Sequence, residues 1–227
     1  MANSKVVDTK AANGNAAKNK NTKFEIRGVN HLALTCKDMK RTVEFYSGVL
    51  GMPLTKTINL PRGMGQHFFF DIGNGDSLAF FWFPDSPESV PGVTHPANLV
   101  TRGPITTANA SMNHVAFDVS PDKIEEYRER LAKAGVDVTR VVNHDDSPNQ
   151  ASAELSPSTF VRSIYFMDPD GIQLEFAAWT REMTDEDVNC DPHSVAAGLS
   201  HPRPSQVREP RRSGTRRRRW SGGRRQR

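Results

Sequence analysis

Three polar side chains in this 227-residue chain stand where strand-like stretches should be apolar. His31 opens "HLAL", His114 opens "HVAF", and Glu175 interrupts "IQLEF". Residues i and i+2 of a strand share a face. His31 therefore shares a face with Ala33, His114 with Ala116 and Glu175 with Ala177. Leu32, Leu34, Val115, Phe117, Leu174 and Phe176 take the opposite faces. A polar group beside a small residue on three strands leaves a concave space, which core packing does not explain. A carboxylate in such surroundings is costly unless something compensates its charge. Two neutral imidazoles and one carboxylate form a facial donor set for a divalent metal, with places left open for substrate. A doubly charged ion also supplies the compensation that Glu175 needs. The expected metal ligands are His31, His114 and Glu175.

The elements that must position them are legible as an internal repeat. "GVNHLALTCKDMKRTVEFYSGVLGMPL" (28–54) and "SMNHVAFDVSPDKIEEYRERLAKAGVDV" (111–138) both begin with Asn-His and an alternating strand. Both then reach a helix start, with Asp38 as a cap in the first and Ser120-Pro121 opening the second. Met39, Val43, Tyr46 and Leu50 follow at helical spacing, as do Ile124, Tyr127, Leu131 and Ala134. Gly51 and Gly135 stand where these helices should stop, and Met52-Pro53-Leu54 and Val136-Asp137-Val138 should start new strands. Each copy ends in two strands joined by a turn, Gly73 to Asp76 in the first and Asp168 to Gly171 in the second.

A strand, a helix and three strands cannot bury a sheet alone, so two copies should pack into one domain. The expected class is α+β: two paired βαβββ repeats forming a cupped mixed sheet over residues 27–183. Repeat one covers 27–83, a linker 84–110, and repeat two 111–180. A long loop over 143–160 should interrupt the second repeat as a lid or binding loop.

Composition separates this domain from its ends. Residues 1–26 are polar and rich in Ala, Asn and Lys, which predicts a disordered tail. Residues 184–227 form a second expected tail, and from His201 onward they hold eleven arginines against one acid, Glu209. The charge of +4 thus belongs to the ends, because residues 24–200 carry −10. No folded nucleic-acid module accompanies the basic arm, so nonspecific attraction is the most it should offer nucleic acid. The N-terminus lacks the apolar centre of a signal peptide, and no stretch reads as a membrane span. Two cysteines make no disulfide framework, which suits a reducing, cytoplasmic setting.

"NHLALTCKDMKRTVEFYSGVLGM", "MNHVAFDV" and "DPDGIQLEF" together resemble the vicinal oxygen chelate superfamily over about residues 27–180. That superfamily includes glyoxalase I, extradiol dioxygenases, fosfomycin-resistance transferases and bleomycin-binding proteins. The resemblance implies a metal between paired repeats, held by the first and last strands of each, and carries over to His31, His114 and Glu175. The fourth ligand place of glyoxalase I aligns with Ala79, which cannot coordinate. Three ligands resemble the ferrous site of extradiol dioxygenases. Ile164-Tyr165, Asp168-Pro169, Gly171 and Glu175 fit the spacing of the extradiol signature, which implies a catalytic Tyr165 leaning toward a substrate oxygen.

The histidine that this signature places upstream of the tyrosine is missing. His67, His95 and His144 lie off the motif; they are the candidate substitutes for proton delivery, and each is expected to face solvent. Phe68, Phe69, Phe70, Phe80, Phe81, Trp82 and Trp179 could wall an apolar pocket, with about half of them packing on helices instead. The resemblance implies iron(II), with zinc, nickel or manganese as alternatives, an aromatic small-molecule substrate, and a homodimer. Its expected activity is extradiol-type ring cleavage. A glyoxalase-like isomerase and a bleomycin-resistance-type binding cup are the alternatives.

Overall fold

The computed structural model describes residues 23–192, so the tail expectations for 1–22 and 193–227 lie outside the described residues. Residues 23–187 fall within one compact unit. Its first repeat runs β1 (His31–Thr35), α1 (Met39–Val43), β2 (Leu54–Asn59), β3 (Gln66–Gly73) and β4 (Asp76–Trp82). The second runs β5 (Val115–Asp118), α2 (Ile124–Lys133), β6 (Val142–Asp145), β7 (Thr159–Met167) and β8 (Gln173–Trp179). Each repeat builds its own mixed four-stranded sheet. The orders are β1-β4-β3-β2 and β5-β8-β7-β6, the same path taken twice. The first strand of each repeat pairs in parallel with its last, and the other pairings are antiparallel. No helix among the described residues is long and apolar enough to cross a membrane.

Local chemistry explains the helices. Asp38 accepts a hydrogen bond from the Arg41 amide at 3.1 Å and so caps α1. The helix then widens into a π-helical stretch, Glu44–Val49, which buries Phe45 and Tyr46 and closes with Gly51 at φ 75°. The second helix departs from expectation. Ser120 turns to Asp122 rather than to the helix amides, and α2 begins only at Ile124 after a turn through Pro121. Glu125 and Glu126 in its first turn suit the positive end of the helix dipole.

A strand was expected at Val136-Asp137-Val138, yet only Val138 makes a ladder contact, opposite Phe166. The Arg102 guanidinium holds the Asp137 carboxylate and the Val138 carbonyl, and the segment runs outside a regular ladder. Thr139 then clips Tyr165 through two hydrogen bonds of 2.9 and 3.0 Å. Pairing resumes at β6, inside the stretch expected to be a loop from 143.

The helix-facing sides of both sheets merge into one core around Tyr46, Phe70, Phe80, Ile124, Ile164, Phe166 and Leu174. Burying each of these side chains contributes roughly 1.5–3 kcal/mol. The repeats are also tied by a polar joint. In the turn after β7, Asp168 accepts the Asp170 and Ile172 amides at 2.9 and 2.8 Å, while Gly171 takes φ 89°. The Tyr46 hydroxyl, from the other repeat, donates to Asp168 at 3.2 Å. Burial pushes the Asp168 carboxyl up to about 6 despite these donors. Burial likewise pushes the neighbouring Cys36 thiol up to about 11.

Because the folded value lies above the ordinary 3.8, folding favours protonated Asp168. That contribution is complete below pH 3.8 and is lost as pH rises through about 6. Asp168→Asn should abolish it. Denaturation of the two proteins from pH 4 to 8 should show the wild type losing up to roughly 3 kcal/mol relative to the variant. Parallel pH profiles would refute the assignment.

Candidate metal centre

Equivalent registers give the two sheets matching positions with different contents. Across the first sheet, Ala33, Ala79 and Phe69 stand side by side. Across the second, the corresponding trio is Ala116, Glu175 and Tyr165. Ala79 is thus the counterpart of Glu175, and Phe69 that of Tyr165. Exposure alternates along β1 and β5, with His31, Ala33, Ala116 and Asp118 on the open faces and the bulkier residues turned to the core. The open face of the first sheet carries His31, His67, Phe69 and Phe81. That of the second carries His114, His144, Tyr165 and Glu175. Phe68, Phe70, Phe80 and Trp82 pack on the core side.

On the second sheet His114 and Glu175 meet, with Nε2 3.0 Å from Oε2. The side-chain oxygen of Asn113 lies 2.8 Å from His114 Nδ1. Asn30 holds His31 Nδ1 at the same 2.8 Å. An oxygen acceptor at Nδ1 fixes the proton there in a neutral imidazole and leaves the Nε2 lone pair free. In His114, Nε2 faces a carboxylate oxygen, and a contact of 3.0 Å is closed by a proton on Nε2 or by a cation between the two atoms. An imidazole nitrogen and a carboxylate oxygen are donor types that suit a divalent ion, and both repeats present an Asn-anchored imidazole.

The surroundings keep Glu175 charged. Burial opposes its ionisation, but His114 and the nearby Ser163 and Tyr165 hydroxyls outweigh burial and hold the carboxyl below its ordinary value. The Ser163 hydroxyl is fully buried and faces Glu175 without a hydrogen bond of ordinary geometry. Tyr165 is buried, and its phenol is pushed up by desolvation and then by the Glu175 charge. Its hydroxyl lies 3.0 Å from His144 Nε2.

His31 stands apart from this cluster. It packs edge-on to Phe69 at 5.6 Å on the first sheet. Among the described residues, no three His, Cys, Asp or Glu side chains converge within reach of one metal ion. One chain thus brings His114, Glu175 and Tyr165 together and leaves His31 on the other sheet.

The three off-motif histidines are more covered than expected, His95 fully and the other two in part. His67 stacks on Phe81 at 3.6 Å, and burial, then His31, holds its imidazole below the ordinary value. Its Nε2 is buried without a partner. His95 is buried beneath the 168–171 turn, where a Cβ on Gly171 would come within 2.7 Å of Nε2. His144 is half-buried and joins the site through Tyr165. The stretch "VNHD" has no alternation to mark β6, so nothing in the sequence paired His144 with Tyr165.

The family model for the glyoxalase/bleomycin resistance protein/dioxygenase superfamily matches residues 28–176. Metallothiol transferase FosB of Lysinibacillus sphaericus is 24% identical over 68% of this chain and 84% of its own length. Glutathione transferase FosA of Serratia marcescens is 24% identical over 66% of this chain and 79% of its own. MhqE of Bacillus subtilis, assigned as a ring-cleaving dioxygenase, is 28% identical over 50% of this chain and 33% of its own. The extent of the family match, over the repeats that carry both Asn-His pairs and Glu175, decides the matter: the chain belongs to the glyoxalase/bleomycin resistance protein/dioxygenase superfamily.

Proposed function

We propose that this protein is a divalent-metal enzyme whose complete site forms between two copies of the chain. His114 and Glu175 of one copy and His31 of a second copy hold the ion. Support comes from the placement of the donors: the ligand-bearing faces are open, and His31 does not reach the other two within one chain. The aromatic face of the first sheet, with Phe69 and Phe81, then covers the polar face of the second copy's second sheet. The substrate is a small planar molecule with two adjacent oxygens, and the reaction is extradiol-type cleavage of a catechol-like ring with iron(II).

The observation that carries this reading is the cross-strand pairing of Glu175 with Tyr165, opposite a first sheet that offers Ala79 and Phe69 at the same places. Three protein donors leave room for both substrate oxygens and dioxygen. The ion, when bound, supplies Lewis acidity and a path for electrons between substrate and dioxygen. Tyr165 orients one substrate oxygen by hydrogen bonding, and Phe69 and Phe81 pack the ring and exclude water. A second reading is transfer of a thiol to a small oxyanionic electrophile. Its support is coverage, since the chain matches 84% and 79% of the two transferases but 33% of the ring-cleaving relative.

One comparison separates the readings. Iron-loaded protein is offered a catechol panel with oxygen uptake followed, and manganese-loaded protein is offered fosfomycin with thiols. Ring-opened yellow product with matching oxygen uptake supports the dioxygenase. A thiol adduct without oxygen uptake replaces it with the transferase.

Glu175→Ala should lose bound metal while the fold persists, as read by metal analysis and circular dichroism. Stoichiometric metal in that variant would remove Glu175 from the ligand set. The shared site makes a sharper prediction. His31→Ala and His114→Ala proteins should each fail to bind metal alone. Unfolded together and refolded as a mixture, they should recover about a quarter of the wild-type metal, because half the dimers are mixed and each has one intact site. No recovery on mixing would place the ligands within one chain.

A further inference from the structure

A cleft of about 580 Å³ opens where the two repeats meet, and none of His31, His114, Tyr165 or Glu175 lines it. Three parts of the chain build its walls. The first repeat gives Arg41, in the last turn of α1, and Phe45 and Val49 from the π-helical stretch. The linker gives residues 97–99 and 102, and the second repeat gives 134–137, just past α2, with the 167–169 corner after β7. The volume falls within the range of clefts that take a small organic ligand.

The lining combines apolar surface with one unmatched charge. Phe45, Val49, Leu99, Val136 and Met167 supply the apolar part, and Val49 is still 39% exposed at its edge. Both acids of the cleft already have their donors. Asp137 takes two guanidinium nitrogens of Arg102, at 2.5 and 3.0 Å. Asp168 takes the Asp170 and Ile172 amides and the Tyr46 hydroxyl. Arg41 is the exception. Its amide serves the Asp38 cap, but among the described residues no acid pairs with its guanidinium, and nearby Glu44 turns to Lys40 instead. The spare charge of the cleft is therefore positive, and a cation entering it would find each acid taken.

We propose that this cleft binds a small amphipathic carboxylate, a molecule with one carboxylate head and an aliphatic body. The planar head pairs with the Arg41 guanidinium, whose forked N–H groups match two carboxylate oxygens. The body lies on the apolar wall, where the unbranched Met167 side chain adapts to its shape. An occupant touches both repeats and the linker, so it favours the folded, docked arrangement over the unfolded chain. Leu99 and Met167 also belong to the apolar cluster around Tyr165 and Val142. The ligand thus sits one layer of side chains from the candidate metal centre without entering it, and the proposal does not rest on which reaction that centre performs.

The test titrates full-length protein, labelled with ¹³C at the methionine methyls, with sodium octanoate. The Met167 signal, identified by its loss in Met167→Leu, should move saturably. 1-Octanol, which has the body without the charge, should move it far less at the same concentration. Arg41 is exposed on a helix surface, so Arg41→Gln should fold normally and raise the octanoate Kd by about tenfold. Arg41→Lys, which keeps the charge, should recover part of that loss. Adding EDTA should leave the titration unchanged. A Met167 signal that stays in place, or an Arg41→Gln titration that matches wild type, overturns the proposal. Binding that EDTA abolishes assigns the carboxylate to the metal centre and overturns it equally.

Discussion

The arrangement of this molecule hangs on one buried carboxylate. Asp168 organises the turn between β7 and β8, and so sets where β8 begins and where Glu175 falls on it. The same side chain receives the Tyr46 hydroxyl from the first repeat. A single group thus fixes the strand that carries the acid of the site and docks that strand's repeat onto its twin. Burying an acid there is unfavourable unless it is protonated or well supplied with donors, and it takes two backbone amides and a phenol.

Function is divided unevenly between sheets that are otherwise copies. Both present an Asn-anchored histidine at the start of their first strand. Both faces carry a second imidazole, but only the second sheet adds a carboxylate and a phenol, linked in the order His114, Glu175, Tyr165, His144. The first sheet answers with aromatic rings at the same registers, Phe69 and Phe81. At matching registers the two faces thus differ in kind, one polar and one largely aromatic.

Much of this was legible before any coordinates. The paired Asn-His strands, the helix spacing and the two closing hairpins are local patterns with periods that a sequence displays directly. The register of Ala79 against Glu175 follows from aligning the repeats. What stayed hidden depends on packing between distant segments. Val136-Asp137-Val138 has strand propensity, but only Val138 pairs, and Asp137 turns out to Arg102 in the linker, a contact between distant segments. His95 and His67 read as solvent-facing because a lone histidine carries no sign of the turn or ring that will cover it. His144 needed the β6–β7 register to bring it to Tyr165, and that register begins only after an irregular segment.

The Asn-His pairs bear on how such a protein can diverge. The residue that sets each imidazole's tautomer is its own chain neighbour, so duplicating a repeat copies ligand and anchor as a unit. The carboxylate sits on a different strand, and at the matching register the first repeat has Ala79. That one difference breaks the mirror between the halves. A symmetric cup would admit a two-oxygen ligand equally in either orientation. With the acid and the phenol on one wall and mostly rings on the other, the two ends of such a ligand would no longer be equivalent, and the cup is handed.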